Sequence, residues 1–241
     1  MNTYKLISII IPVYNEEKYI AQTLEKVVST DIFHLKKEII MVDDASTDHT
    51  RDEVATFIQK TNEHITVIKK EKNDGKGAAV KIGINRSKGD IVLIQDADLE
   101  YTPHDYPALV EPFLKYDADV VYGSRFYGSK PHRVLYFWHY VANIILTIFS
   151  NMLTNLNISD METGYKAFKG EIIRSIGKKL MSKQFGFEPE ITARIAKIKN
   201  IRIYEVGISY QGRTYAEGKK IGWIDGVRAL WEIVKYNIFT N

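Results

Sequence analysis

The chain has 241 residues, 45% of them hydrophobic and 26% charged, with a formal net charge of +3, enough length and apolar content for one large α/β domain with a full core. It contains no cysteine, which excludes a disulfide framework, a thiolate nucleophile and a cysteine-ligated zinc, and fits a reducing compartment. The charge is uneven: residues 1–120 carry 15 Lys/Arg against 21 Asp/Glu and residues 121–241 carry 18 against 9, so an acidic half suited to a cation precedes a basic half suited to phosphates.

The opening MNTYKLISIIIPVYNEE lacks a basic stretch followed by a cleavable apolar run, and LISIIIPV reads as a first β-strand rather than a signal peptide. A helical pattern follows, with Ile20, Leu24, Val27 and Val28 on one face. EIIMVDD then leads into a helix bearing Val54, Phe57 and Ile58, and ITVIKK precedes GKGAAVKIGINRS. DIVLIQD precedes PHDYPALVEPFLKY, where Pro103 suits a first helical turn. ADVVYGS supplies a further strand. Near-continuous apolar strands alternating with amphipathic helices imply a mostly parallel sheet covered on both faces, and ligands of such sheets bind beyond the carboxyl ends of the strands.

After residue 124 the rhythm breaks into the loop FYGSKPHR and the apolar run VLYFWHYVANIILTIFSNML. His139, Asn143, Thr147, Ser150 and Asn151 interrupt that run, so it is expected not to span a bilayer, which takes about 20 predominantly apolar residues. It and WIDGVRALWEIVKYNIF, with Trp223, Val227, Leu230, Trp231 and Val234 at helical spacing, suit either core packing or a lipid interface. With no internal repeat and no linker, a single domain over residues 1–241 is expected.

The stretch DIVLIQDADLEY places Asp96, Asp98 and Glu100 at alternate positions. In an extended chain alternate side chains share a face, and carboxylates so crowded repel unless a positive group stands among them. A hard divalent cation with oxygen ligands is the expected answer.

Taken together, SIIIPVYNEE, VDDASTD, DGKGAAVKIGINRSKGDIVLIQDADLEY, GSRF and DMETGYKAFK resemble glycosyltransferase family 2, from about residue 6 to 235 and in the family's order. The branch they look most like is that of the polyprenyl-phosphate hexosyltransferases, similar to dolichyl-phosphate mannose or glucose synthases. The resemblance implies a GT-A fold: a Rossmann-like, mostly parallel central sheet with helices on both faces, plus amphipathic membrane-interface helices. It further implies a nucleotide-sugar and metal half (1–124) and an acceptor and membrane-interface half (125–241). Pro12, Tyr14 and Glu16 would line the nucleoside pocket, Asp44 would face the base, Lys76 would lie in a turn closing the pocket, and Asp96 would sit near sugar or ribose. Asp98, with Glu100 assisting, would hold Mg²⁺ or Mn²⁺ on the donor diphosphate. NDGKGAAV is not a Walker loop, since the Gly-Lys-Ser/Thr ending is missing.

On the acceptor side the resemblance places Arg125 near the acceptor phosphate, with Arg133 and His139 as further basic groups. Arg213, with Lys219 and Lys220, lies in a segment that closes on diphosphate or acceptor. Arginine's fork matches phosphate geometry better than lysine. Asp160 would fall on the acceptor or sugar side as a positional or sugar-binding group rather than a base, and so would Glu188 and Glu190, with helix capping and packing as competing roles for the two glutamates. Asp98, Asp96, Arg125 and Arg213 are the residues expected to carry catalysis. The expected reaction is an inverting, metal-dependent transfer of a hexose from UDP-glucose or GDP-mannose to a polyprenyl phosphate, dolichyl or undecaprenyl. A phosphate acceptor, with a second pKa near ~6, needs no general base. The expected setting is peripheral, on the cytoplasmic face of a membrane, with room for a membrane-protein partner and none for nucleic acid. Many relatives in this branch have a C-terminal transmembrane part, and the expectation here is of an enzyme without a span of its own. The competing readings are a family 2 enzyme acting on a saccharide hydroxyl, which would need a catalytic base, and a non-catalytic nucleotide-sugar or lipid-binding module.

Overall fold

The computed structural model describes residues 4–128, 130–134, 136–184, 186–214 and 223–240. The apolar runs form the sheet: β1 (Leu6–Val13), β2 (Lys36–Asp43), β3 (Ile65–Lys69), β4 (Ile91–Ile94), β5 (Val120–Ser124), β6 (Lys166–Lys169) and β7 (Ile203–Gly207). Their order is β3-β2-β1-β4-β6-β5-β7. β6 runs antiparallel to β4 and β5, and the remaining pairs are parallel.

Strand alternation divides the core into two layers. Ile7, Ile9 and Ile11 pack with Ile20, Leu24 and Val27 of α1 (Ile20–Ser29), Val54 of α2 (Thr50–Thr61) and Leu109 of α4 (Tyr106–Tyr116). Ile10 points the other way, onto Val80 and Ile84 of α3 (Lys76–Arg86). α6 (Gly170–Gly177), α7 (Phe187–Ala196) and the inner edges of α5 (Phe137–Thr154) and α8 (Trp223–Ile238) share this second layer. Each fully buried Ile or Leu contributes roughly 1.5–3 kcal/mol, so both layers hold the sheet from opposite sides. Pro103 opens a 3-10 turn (Pro103–Asp105) just before α4.

From β1 the chain moves outward through β2 to β3, then crosses back to place β4 on the other side of β1. This reversal is where open α/β sheets leave a crevice beyond the strand ends. The loops after β1 and β4 flank it.

Of the stripe anticipated on the C-terminal helix, Val234 is half-buried and the Trp223 side chain lies outside the described residues. Ala229, Ile233 and Tyr236 of α8 are buried, whereas Val227, Leu230 and Trp231 are exposed. α5 likewise buries Leu146, Thr147 and Ser150 and exposes Phe137, Trp138, Ile145, Ile148 and Met152. No helix among the described residues is long and apolar enough to cross a membrane.

Candidate active site

The loops after the strands are built by residues that tolerate a left-handed backbone or are forced into it. Asn15 (φ 53°) follows β1, Ala45 (φ 62°) follows β2 and Leu99 (φ 61°) follows β4. A non-glycine residue with such a φ is uncommon and costs on the order of 1–3 kcal/mol, a strain that clusters at functional sites. Leu99 corrects the expected account of the acidic triplet. β4 ends at Ile94, and Ala97–Glu100 turn rather than extend. Asp98 and Glu100 are brought together by that turn, Glu100 N–H donating to Asp98 Oδ1 at 3.2 Å, and not by strand alternation.

The acidic cluster faces a cavity of about 1030 Å³. Among the described residues its positive partners include two side chains. Arg213 donates through Nη2 to Asp98 Oδ2 (2.7 Å), through Nε to Glu100 Oε1 (3.2 Å) and through Nη1 to Glu16 Oε2 (3.4 Å). Lys76, the first residue of α3, lies 2.9 Å from Asp96 Oδ1 and 3.0 Å from Glu188 Oε1. Burial, then Asp96 and Glu100, push the Asp98 carboxyl well above the ordinary carboxylate range, with Arg213 opposing them. Burial alone would lower the Lys76 ammonium, but Asp96 and Glu188 hold it well above its usual value. Among the described residues no group of three His, Asp or Glu converges as a metal cage. The donor set is nonetheless all carboxylate oxygen around an Asp98 short of positive charge, which fits a hard divalent cation.

Behind the cluster, Gln95 Oε1 accepts from the hydroxyls of Tyr106 and Tyr165, both at 2.6 Å. Its amide donates to Asp96 O at 2.7 Å. Gly164 is pressed against Asp96: a Cβ there would lie 2.3 Å from Asp96 Oδ2. Glu100 is clasped from the segment after β7, by Tyr210 Oη (2.9 Å) and the Arg213 N–H (3.0 Å).

Pro12, Tyr14, Glu16 and Asp44 all line the cavity. Asp44 accepts from Lys70 Nζ, from Gly75 N–H (2.7 Å) and from Asp74 N–H (3.2 Å), so it fixes the turn leading to α3. Gly75 has φ +98°, and a Cβ there would lie 2.5 Å from Lys183 O, so only glycine makes that turn. Asp43 pairs with Arg51 and accepts from Ser46 N–H, and Asp48 accepts from Thr50 N–H, both structural roles.

On the other wall Arg125 makes a two-pronged pair with fully buried Asp160, Nε to Oδ2 and Nη2 to Oδ1 at 2.7 Å each. Nη2 also donates to Asn143 Oδ1 at 3.2 Å, and the guanidinium lies 5.3 Å from the Tyr210 ring centre. Burial opposes its charge, but Asp160 and the neighbouring tyrosines hold it well above its usual value. His139 lines the same cavity. Arg133 is exposed, donates to Gly212 O at 3.2 Å, and is not among the cavity-lining groups. Glu190 is buried and accepts from the Met181 and Ser182 N–H groups and from Arg194, so it ties the preceding loop to α7. Lys219 and Lys220 lie outside the described residues.

Sequence reasoning missed Glu162, Lys166 and Tyr210. Glu162 lines the cavity beside Glu188, and Lys166 is 1% exposed, with its Nζ donating to Met161 O at 2.9 Å. The available signal was charge inside DMETGYKAFK, a segment otherwise apolar enough to be buried.

The mostly parallel sheet thus carries a carboxylate-lined crevice at its switch point, beside an arginine-bearing wall. The model for glycosyl transferase family 2 matches residues 8–177, and the chain belongs to that family; it is a glycosyltransferase of GT-A fold. It is 30% identical over 225 residues to undecaprenyl-phosphate mannosyltransferase of Micrococcus luteus, covering 90% of this chain and 88% of that one. It is 24% identical over 214 residues to dodecaprenyl-phosphate galacturonate synthase of Rhizobium johnstonii, covering 88% of this chain but only 61% of the relative. Glucosyl-3-phosphoglycerate synthase of Mycobacterium tuberculosis, solved with Mn²⁺, uridine diphosphate and phosphoglyceric acid, superposes with a TM-score of 0.73 at 18% identity, over 97% of this chain and 79% of that one.

Proposed function

We propose that the chain is an inverting, divalent-metal-dependent hexosyltransferase that moves a sugar from a UDP- or GDP-hexose to a polyprenyl phosphate at a cytoplasmic membrane surface, working as one unit over residues 1–241. The observation that carries this reading is the cavity itself, with carboxylates on one wall, Arg125 on the other and the exposed apolar faces of α5 and α8 near its mouth. Asp98 and Glu100 would hold Mg²⁺ or Mn²⁺, which supplies positive charge for the leaving diphosphate. Tyr14 offers a ring to the base and Glu16 an acceptor to the ribose hydroxyls. Arg213, freed from the carboxylates, would meet the diphosphate, and Arg125 would orient the acceptor phosphate.

The acceptor oxygen forms its bond to the anomeric carbon as the bond to the diphosphate breaks, and that electron pair leaves with the nucleotide. No proton need be removed, because the phosphate monoester is already largely anionic. Asp160 supports this choice of acceptor: both its oxygens accept from Arg125, so it orients a cation rather than serving as a base. The similarity to undecaprenyl-phosphate mannosyltransferase points the same way.

The deciding experiment incubates the protein and Mg²⁺ or Mn²⁺ with detergent-dispersed polyprenyl phosphate and a panel of UDP- and GDP-hexoses. Mass spectrometry then seeks a hexosyl-phosphoryl-polyprenol. Product from one donor supports the reading and names the donor. Metal-dependent nucleotide binding without lipid product from any donor favours a saccharide acceptor, or a membrane partner that must be supplied.

A further inference from the structure

Arg125 commits most of its donors inside the protein. Nε and Nη2 donate to Asp160 and Nη2 also to Asn143 Oδ1, while Nη1 has no hydrogen-bond partner among the described residues. Arg125 lines the cavity, so Nη1 is the nitrogen left for a ligand. A guanidinium is rigid and planar, and the placement of Asp160 therefore decides where Nη1 points.

Asp160 is in turn placed by its backbone. The loop between α5 and β6 is held from α5, where Asn151 Nδ2 donates to Ile158 O (2.7 Å) and Thr147 Oγ1 accepts from the Met161 N–H (3.1 Å). At Asp160 itself the hold comes from β7, the last strand of the sheet. Glu205 accepts through Oε1 from the Ser159 N–H (2.8 Å) and the Asp160 N–H (3.3 Å). The loop is joined to the end of β5 as well: Ser159 Oγ shares a 2.6 Å hydrogen bond with Ser124 Oγ, and the Arg125 N–H donates to Asp160 Oδ2 at 3.0 Å. One carboxylate thus fixes the peptide units that aim Asp160 at Arg125.

That carboxylate stands where charge is disfavoured. Burial raises the Glu205 carboxyl above its ordinary range and the Asp160 charge adds to this, while the Ser159 and Asp160 N–H groups oppose both. β7 is already joined to β5 by its own backbone ladder, Tyr122 standing beside Glu205. The strands are paired without this side chain, and what its hydrogen bonds secure is the loop.

We propose that Glu205 is a positioning residue for acceptor binding: through the Ser159 and Asp160 backbone it keeps Asp160, and with it Arg125 Nη1, set for the acceptor phosphate. The inference rests on the polyprenyl-phosphate reading above, and it names a residue that governs the acceptor wall without itself lining the cavity.

Calorimetric titration of detergent-dispersed farnesyl phosphate into the full chain tests it, with the wild type, Glu205→Leu, Glu205→Gln, Arg125→Ala and Arg125→Ala combined with Glu205→Leu. Glu205→Leu should bind about 5- to 10-fold more weakly, the effect of a small misplacement of Nη1. Glu205→Gln, whose amide oxygen can still accept from both N–H groups, should return to within about threefold of the wild type. The double variant should bind no more weakly than Arg125→Ala, because a residue that acts through Arg125 has nothing to act on once it is gone. Affinity for UDP and GDP in Mg²⁺ should stay within about twofold throughout, as expected of sites that share no partner. Unchanged farnesyl phosphate affinity in Glu205→Leu overturns the proposal. So does a further loss in the double variant, or nucleotide affinity that falls together with acceptor affinity, the pattern of a merely structural role. Should Glu205→Leu fail to fold, Glu205→Asp keeps the charge but draws the oxygens back by one methylene, and wild-type affinity in that variant sinks the idea. A wild type that does not bind farnesyl phosphate overturns the acceptor reading and this role together. A wild type that binds it yet transfers no sugar to polyprenyl phosphate overturns the transfer reading alone, and the variants still decide the role of Glu205.

Discussion

Arg213 places Nη2 2.7 Å from Asp98 Oδ2, and the same guanidinium reaches Glu100 and Glu16. One side chain from the segment after β7 thereby ties the loops after β1 and β4. The carboxylates it holds include both proposed metal ligands, so guanidinium and divalent cation compete for Asp98 and Glu100. Arg213→Ala is therefore expected to bind Mn²⁺ more tightly than the wild type when nucleotide is absent, on the order of tenfold, or about 1.4 kcal/mol. Its sugar transfer should nonetheless fall, because the diphosphate loses a two-pronged donor. Asp98→Ala should lose both metal-dependent donor binding and turnover. Electron paramagnetic resonance titration of free Mn²⁺ reads the first effect, and an unchanged affinity in Arg213→Ala would remove the competition from the account.

Arg125 and Asp160 make a second separable pair. Arg125→Ala is expected to raise the KM for the lipid phosphate by about 10- to 100-fold, the range for a lost charge-assisted hydrogen bond, with donor affinity intact. Asp160→Asn keeps the charge of Arg125 but loosens its two-pronged anchor, so it should raise the same KM by less. Steady-state kinetics with each substrate varied separately decides this. A fall in donor affinity in Arg125→Ala would move that residue to the other wall.

The first half of the fold was readable because its signals are local. LISIIIPV becomes β1 over those same eight residues, and Ile20, Leu24 and Val27 are all buried on the predicted face of α1. The acidic triplet was readable as a site but not as a shape, since the turn at Leu99 is set by the loops packed around it. β6 escaped notice because four residues with lysine at both ends give no alternation, and those lysines are buried by partners that only the folded chain supplies: Lys166 by carbonyls of the loop just before it and Lys169 by the sequence-distant Asp117 and Asp119. Glu188 was placed on the acceptor or sugar side by resemblance, and Glu162 was not singled out. That one oxygen of each is buried without a partner among the described residues is a property of the folded chain.

The outward faces of α5 and α8 expose Phe137 (64%) and Trp231 (59%) on neighbouring helices. Aromatic side chains so placed suit the headgroup boundary of a bilayer. The double variant Phe137→Ser with Trp231→Ser is expected to lose about tenfold in partitioning onto anionic phospholipid vesicles while nucleotide binding is kept. Vesicle sedimentation measures it, and equal sedimentation of variant and wild type would count against the membrane reading of these faces.

Asp119 joins three neighbouring strands at their starts or ends. It accepts from Arg202 N–H (2.9 Å), Arg202 Nε (3.0 Å) and Arg202 Nη2 (2.9 Å), and lies 2.7 Å from Lys169 Nζ. Burial disfavours its charge, but the hydrogen bonds from Arg202 and Lys169 outweigh burial and hold the carboxyl well below its ordinary value. Asp119→Ala should therefore destabilise the protein by about 2 kcal/mol near neutral pH, since it leaves partly buried donors unmatched. A carboxyl whose pKa is depressed by folding contributes stability that is complete above its unfolded value, near ~3.9, and is lost as pH falls towards the folded value. The gap between wild type and Asp119→Ala should accordingly be constant from pH 7 to about 5 and shrink below about 4. Urea unfolding across that range measures it, and a gap that stays constant or widens in acid would show that the carboxylate charge is not what holds these strands together.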